Sequence, residues 1–289
     1  MKEIVKEKIA SLLSGDEEIQ SVEQLGGMTN QNYLVQTSSN QYIVKFFGKG
    51  TDKLIDRQNE KFNLELLKDL KLDVENYLFD IEAGIKVNQY IENAETLNIN
   101  TIKTKFEKIA PILQTIHASG KKLKGEFAPF EEIKKYESLI QGEIYYPNYE
   151  SVRKSVFSLK EELEQIGIEK KPCHIDLVPE NFIEAPDGHL YLIDWEYSSM
   201  NDPMWDLAAL FLESEFTPKE EEDFLAYYES EKTPVSREKI RIYKILQDII
   251  WSLWTIYKEE NGADFGDYGI TRYNRAVKEL QSQGGIDED

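Results

Sequence analysis

Cysteine is almost absent: Cys173 stands alone in 289 residues. An internal disulfide framework and a multi-cysteine metal site are therefore excluded, and the apolar neighbourhood of Cys173 predicts a buried structural thiol. Histidine is nearly as scarce. His117, His174 and His189 are the full set, and no trio with metal-ligand spacing exists, which disfavours zinc. No apolar run approaches the length of a membrane span. The opening Met1-Lys2-Glu3-Ile4-Val5-Lys6-Glu7-Lys8 lacks a secretory apolar segment, so a cytoplasmic location without membrane insertion is expected. Positive charge is also short, with 34 Lys and Arg against 54 Asp and Glu and a net charge of -20. That balance argues against nucleic acid, whose backbone would be repelled. It suits a cationic small molecule, although solubility alone accounts for many such carboxylates. There are no internal repeats.

What is present begins with enough chain to bury a sizeable core in two lobes. Met1 to Leu13 has the spacing of an amphipathic helix, through Ile4, Val5, Ile9, Leu12 and Leu13. Ile19 to Leu25 leads into Gly26-Gly27-Met28-Thr29-Asn30, and Asn32 to Gln36 and Gln41 to Phe46 alternate as strands around Ser38-Ser39-Asn40. Leu54 to Leu70 predicts a long helix with Leu54, Phe62, Leu66, Leu67 and Leu70 on or near one face. Short strands near Tyr77 to Phe79 and Ile85 to Val87 complete a small sheet. From Thr101 onward the pattern is mostly helical, broken by a hairpin at Pro186-Asp187-Gly188. A long apolar helix from about Ser236 to Lys258 carries Trp251 and Trp254. The expected fold class is α+β, with an N-lobe over residues 1–90 built on an antiparallel sheet with helices. A mostly helical C-lobe over residues 91–289 follows. The polar, acidic tail Gln281 to Asp289 is expected to be disordered.

The stretch His174-Ile175-Asp176-Leu177-Val178-Pro179-Glu180-Asn181, with Asp194 closing Leu190-Tyr191-Leu192-Ile193-Asp194, has the order and spacing of a phosphoryl-transfer site. Asp176 is the candidate for orienting a substrate hydroxyl and taking its proton. Asn181 and Asp194 are hard oxygen donors suited to Mg²⁺ against nucleotide phosphates. Glu196 assists metal or water binding or is a plain surface residue. Upstream, the Gly26–Asn30 turn lets backbone N–H groups approach phosphate oxygens without a Cβ in the way. A Gly-Gly hairpin is the alternative reading. ATP is anionic, so an overall acidic chain needs local positive charge, which Lys45 supplies at the end of Tyr42-Ile43-Val44-Lys45-Phe46-Phe47. A lysine placed there needs an anionic partner. Glu60 in the following helix is the natural candidate and Glu65 the competitor, because helix phase is open. Ile175 stands where regulated protein kinases carry Arg, and Asp-Phe-Gly and Ala-Pro-Glu are both missing, so a phosphorylation-switched protein kinase is not expected. His174 is expected to shape its turn, His117 to pack and hydrogen-bond, and His189 to be exposed.

Aromatic residues form the second informative set. Tyr197 follows Asp194 closely, Trp251 and Trp254 share a helix face at i and i+3, and Tyr268 lies in Phe265-Gly266-Asp267-Tyr268-Gly269. Ring faces attract quaternary ammonium groups through their quadrupole, and carboxylates such as Glu213 or Asp202 add attraction. Ordinary core packing is the alternative.

The chain resembles the choline/ethanolamine kinase family, within the wider group of aminoglycoside-phosphotransferase-like kinases, and within it the bacterial choline kinases that supply phosphocholine to cell-surface polymers. The resemblance covers nearly the full length. It rests on Gly26-Gly27-Met28-Thr29-Asn30, Ile43-Val44-Lys45-Phe46, His174-Ile175-Asp176 with Asn181, and Ile193-Asp194-Trp195-Glu196-Tyr197-Ser198-Ser199-Met200-Asn201-Asp202-Pro203 followed by Trp205-Asp206-Leu207-Ala208. It implies a protein-kinase-like two-lobed fold and Mg²⁺- and ATP-dependent phosphorylation of the choline hydroxyl. Carried over by position, Asp176 is the base, and Asn181 and Asp194 are metal ligands and part of the catalytic set. Lys45 contacts phosphate with Glu60 as its partner; ATP is then expected between the lobes, its phosphates under the turn of Gly27, Thr29 and Asn30 and its adenine against Gln89, Tyr90 and Ile91. Tyr197, Glu213, Trp251, Trp254 and Tyr268 surround choline, with Tyr273 as the alternative to Tyr268. Competing readings are a kinase for ethanolamine or an aminoglycoside, and a non-catalytic module that binds choline or nucleotide.

Overall fold

The computed structural model of the protein describes residues 2–9, 12–13, 17–26, 30–48 and 50–282. Its first part is an antiparallel sheet of β1 (Ile19–Gln24), β2 (Gln31–Thr37), β3 (Gln41–Phe46), β4 (Asn76–Asp80) and β5 (Ile85–Gln89), in the order β1-β2-β3-β5-β4. The two faces of this sheet differ in kind. On one, Tyr33, Val35, Tyr42, Val44 and Val87 pack with Val5 and Ile9 of helix α1 (Lys2–Ile9) into a small apolar core. On the other, the register sets Asn32, Lys45 and Lys86 side by side, because residues directly opposite across strands point the same way.

Helix α2 (Arg57–Leu67) lies on the lysine face, its N-terminus capped by the Asp56 side chain, which accepts from the N–H groups of Gln58 and Asn59. The expected helix over Leu54 to Leu70 is thus shorter. Its buried face is Arg57, Glu60, Asn63 and Leu67, while Phe62 is 40% exposed. Polar residues face inward because they meet charged and backbone groups of the rest of the molecule: Asn63 Nδ2 donates to the carbonyls of Ser198 at 2.9 Å and Lys124 at 3.1 Å. The N-terminal helix is likewise shorter than Met1 to Leu13, and Ile4 is half exposed.

After β5 the chain becomes mostly helical: α3 (Phe106–His117), α4 (Pro129–Leu139), α5 (Tyr149–Ile166), α6 (Pro203–Glu213), α7 (Pro218–Tyr228), α8 (Arg237–Glu260) and α9 (Tyr268–Gln281). Helix α8 is the centre of this part and packs on α4, α5, α6 and α9. It is buried on nearly every side from Ile240 to Tyr257, polar Gln247, Asp248, Ser252 and Thr255 included, as expected of a helix surrounded by others. Ser236 caps its start by accepting from Lys239 N. Short strands that periodicity did not announce hold the loops. β7 (Lys171–Cys173) pairs with β10 (Ser199–Asn201). The expected hairpin at Pro186-Asp187-Gly188 is β8 (Phe182–Glu184) with β9 (Leu190–Leu192), extended by β6 (Glu95–Thr96). Strands of two or three residues are too brief for an alternating pattern to register. Among the described residues no helix is long and apolar enough to cross a membrane. Of the tail, Gln281 ends α9 and residues 283–289 lie outside the described residues.

Candidate active site

The loop between β7 and β8 is set by its backbone. Ile175 has φ 79°, a left-handed conformation that costs a β-branched residue about 1–3 kcal/mol. Three bonds hold it there: the N–H groups of His174 and Ile175 donate to the two oxygens of Asp206 at 2.8 and 2.9 Å, and Trp205 Nε1 donates to Ile175 O at 3.0 Å. Asp206 is fully buried and is in turn 3.1 Å from His117 Nε2, whose Nδ1 lies 2.7 Å from the Tyr228 hydroxyl. His117, Cys173 and Asp206 gather three potential metal ligands. Hydrogen bonds to the loop and to Tyr228 already engage the histidine and the carboxylate, so the group reads as the loop's support. His174 lies 2.9 Å from Ile193 O through Nε2, and burial pushes its pKa down, so the neutral ring donates there. This bond joins the loop of Asp176 to the segment of Asp194.

Asp176 lies half-buried at the end of that constrained backbone. Burial, and then the charges of Asp194, Glu213 and Glu196, push its pKa up to about 8. Asn181 is buried, and its Nδ2 donates to Asp176 O at 2.8 Å. Asp194 also adopts a left-handed backbone, φ 66°, and its Oδ1 accepts from Lys45 Nζ at 2.6 Å. Burial pushes Asp194 up, but Lys45 and Lys86 outweigh it and hold the carboxyl below its ordinary value. The same balance runs the other way on Lys45: burial lowers it, and Asp194 and Glu196 raise it further.

The expected partner of Lys45 is different. Glu60 accepts instead from Lys86 Nζ at 3.0 Å and Arg57 Nη1 at 2.6 Å. Lys45 and Lys86 are cross-strand neighbours; Lys86 meets Glu60, and Lys45 reaches across to Asp194. Helix phase is settled for Glu60, fully buried, over Glu65, which is exposed. Glu196 is no surface residue. It is buried, accepts from Asn30 Nδ2 at 2.7 Å and Arg57 Nη1 at 3.0 Å, and burial followed by Asp194 raises its pKa. Gly27 and Thr29 lie outside the described residues. Gln89 ends β5 with its Oε1 accepting from Glu75 N at 3.3 Å, and Tyr90 and Ile91 follow, half-buried.

The aromatic residues come together. Tyr197 meets Trp251 edge-on at 5.8 Å, Trp251 meets Trp254 at 6.4 Å, Trp254 meets Phe265 at 4.9 Å, and Phe265 meets Tyr268 at 6.4 Å. Trp254 is buried and its Nε1–H has no partner. Glu213 joins this set with its charge already matched, since Arg272 Nη1 donates to it at 2.6 Å and to the Tyr268 hydroxyl at 2.9 Å. Tyr273 is committed elsewhere, stacked on Tyr146 at 4.6 Å with its hydroxyl donating to Pro147 O. Asp202 is also elsewhere: it caps α6 and accepts from Lys239 Nζ at 2.7 Å. Tyr197 follows Asp194 by three residues and meets Trp251, and the charges of Asp176 and Glu213 act on one another and on Tyr268, so the ring cluster lies within electrostatic reach of the loop. Arg57, Lys86, Phe265 and Arg272 complete it without having been singled out in the sequence. Arg57 and Glu60 at i and i+3 were a usable signal, and so was a lysine between Ile85 and Val87. For Arg272, which meets a carboxylate 59 positions away, there was none.

The arrangement offers oxygen donors suited to a metal, a lysine suited to anionic groups and a cluster of rings whose chemistry suits a cation. The choline/ethanolamine kinase family model matches residues 22–240. The chain is 32% identical to the protein LicA of Haemophilus influenzae over 269 residues, 89% of this chain and 79% of that one. The crystal structure of the choline kinase LicA from Streptococcus pneumoniae superposes with a TM-score of 0.94 at 75% identity, covering 98% of this chain and 99% of that chain. A crystal structure of LicA in complex with AMP superposes with a TM-score of 0.92 at 76% identity, covering 97% of this chain and 98% of that one.

Proposed function

Since the chain belongs to the choline/ethanolamine kinase family and is a kinase, we propose that it transfers the terminal phosphoryl group of ATP to the hydroxyl of choline. In this reading the lobes divide near residue 90, with ATP between them. Adenine lies against Gln89, Tyr90 and Ile91, and the phosphates lie under the turn that includes Gly27, Thr29 and Asn30. Lys45 meets the phosphates while bonded to Asp194. The Asp176 carboxylate holds the choline hydroxyl in line and takes its proton. Asn181 and Asp194 fit Mg²⁺: the amide nitrogen of Asn181 is committed to Asp176 O, which leaves its oxygen to face a cation, and Asp194 is held ionised. Bound Mg²⁺ neutralises phosphate charge and orients the nucleotide. Positioning supplies most of the rate enhancement. The product, phosphocholine, would serve decoration of cell-surface polymers or lipids, and the enzyme would work in the cytoplasm.

The observation that carries choline over other small alcohols is the state of Glu213. A primary ammonium, as in ethanolamine or an aminoglycoside, wants hydrogen-bond acceptors, and the carboxylate beside the rings is engaged by Arg272. What faces the acceptor is the ring set of Tyr197, Trp251, Trp254 and Tyr268, which attracts a trimethylammonium without needing N–H donors. ADP release measured with choline, ethanolamine and an aminoglycoside tests this. Choline is expected to give the highest kcat/KM. Ethanolamine at an equal or higher value would move the substrate, and nucleotide binding without turnover on any of them would make the protein a binding module.

A further inference from the structure

Arg57 stands where three elements of the proposed reaction meet. Its Nη1 donates to Glu60 Oε2 at 2.6 Å and to Glu196 Oε2 at 3.0 Å, and its Nη2 donates to Asn30 Oδ1 at 2.9 Å. Asn30 closes the ring by donating from Nδ2 to the same Glu196 oxygen at 2.7 Å, and its Oδ1 also accepts from Gly48 N at 3.3 Å. Phe47 covers the guanidinium at 4.1 Å. Asn30, Arg57, Glu60 and Glu196 are all more than nine-tenths buried. Asn30 ends the glycine turn, Arg57 and Glu60 open α2, and Glu196 follows Asp194 by two residues.

We propose that Arg57 and Glu196 are positioning residues for the nucleotide: a buried pin that locks the Asn30 turn and α2 onto the segment bearing Asp194. This rests on the reading of that turn and Lys45 as the phosphate side. The physical reason lies in charge balance. Lys45 Nζ is 2.6 Å from Asp194 but also 4.0 Å from Glu196. Arg57 neutralises Glu196, so the lysine stays on Asp194 at the phosphate position. Without the guanidinium, Glu196 becomes a buried carboxylate short of a cation, and Lys45 is the cation within reach. Asn30 loses a donor at the same time, which frees the end of the turn. Only arginine fits, because the planar fork serves Asn30 from one nitrogen and both carboxylates from the other. Glu196 Oε2 already accepts two donors, an arrangement that orients the side chain.

The test measures ADP affinity by calorimetry together with KM for ATP and for choline, and the Mg²⁺ concentration for half-maximal rate. In Arg57→Lys, Arg57→Gln and Glu196→Gln the ADP Kd and ATP KM are expected to rise about tenfold, the scale of a lost charged hydrogen bond. Choline KM should move less than about twofold on the same reasoning, since the hydrogen bonds of the pin run among Asn30, Arg57, Glu60 and Glu196 and Tyr197 is joined to it only as the chain neighbour of Glu196. Half-saturating Mg²⁺ should not change. Unaltered nucleotide affinity overturns the proposal, and so does an equal rise of both KM values, which would mean general loosening. A shift confined to the Mg²⁺ requirement in Glu196→Gln overturns it in favour of a metal ligand. Should Arg57→Gln not fold, Asn30→Ala removes only the turn side and is expected to raise ADP Kd about threefold; no rise there counts against the pin. If the wild-type protein does not phosphorylate choline, the functional reading falls, while ADP affinity still decides the pin.

Discussion

The two halves of the site solve opposite problems with opposite materials. The loop and cleft side is a set of charged groups in contact, Lys45 on Asp194, Arg57 on Glu60 and Glu196, Lys86 on Glu60, at 2.6 to 3.0 Å. The proposed acceptor side is a chain of rings whose centroids lie 4.9 to 6.4 Å apart. Hydrogen-bonded ions are directional and lose their value with small displacements. Ring faces hold a cation over a broad range of orientations. In the proposed reading one side aligns the reaction and the other captures the acceptor, so damage to the first should appear in turnover or nucleotide affinity and damage to the second in the KM for choline.

That division can be broken by mutation, the largest effect first. Asp176→Asn should lower kcat by about a thousandfold, the scale of a positioned general base, with ADP affinity kept. Near-normal turnover would remove Asp176 from the chemistry. The same residue fixes the pH dependence. Its carboxyl loses its proton only as pH climbs through about 8, so kcat/KM for choline should rise with pH and level off above that value. Its pKa in the unfolded chain is about 4, so ionising it in the folded protein costs stability between those limits. The melting temperature of Asp176→Asn should therefore exceed that of the wild type by a margin that grows from pH 5 to pH 8. A flat difference would refute the raised pKa.

On the acceptor side, Trp254→Ala should raise choline KM about thirtyfold, from a desolvated cation–ring contact of about 2 kcal/mol, and leave ATP KM unchanged. An unchanged choline KM would take Trp254 out of the pocket. Glu213→Gln should raise choline KM about tenfold, because the bond from Arg272 loses its charge and the guanidinium keeps only Asp248, shared with Arg275, as a counter-charge beside Tyr268. An effect on kcat alone would instead place Glu213 with the cleft group. The smallest change is a control on the helix that carries the tryptophans: Ser236→Ala removes the cap of α8 and should cost about 1 kcal/mol, seen as a melting shift of about 2–4 °C with both KM values intact. A raised choline KM would mean that the ring geometry depends on the helix end.

Most of the cleft side was legible because its parts sit in short, ordered stretches. Asp176, Asn181 and Asp194 carry their spacing in the chain, and the alternating strands around Lys45 place it on one face of a sheet. Legibility stopped where a partner was chosen across the fold. Motif order pairs Glu60 with Lys45, but the β3–β5 register puts two lysines side by side, and which carboxylate each one meets follows from distance in space. Phe62 looked like a core residue by helical spacing, yet the buried face of α2 is polar because its counterparts, Glu196 and the carbonyls of Ser198 and Lys124, are polar. Ile175 was informative as an absent arginine. That it holds a left-handed backbone on the bonds of Asp206 and Trp205 was invisible, since a strained φ is sustained by residues about 30 positions away.

The sequence by itself determined the chemistry on offer: which side chains could move a proton, hold an oxygen-bound metal or face a cation with a ring. Those properties belong to residue type and local spacing, and they survive any folding of the surrounding chain. Only the tertiary structure decided which charges neutralise one another. Arg57 came to bridge Asn30, Glu60 and Glu196, and Arg272 came to occupy Glu213. An ion pair depends on the distance between two groups and on the water excluded around them, and neither quantity exists until the sheet, α2 and the helices around α8 have closed on each other.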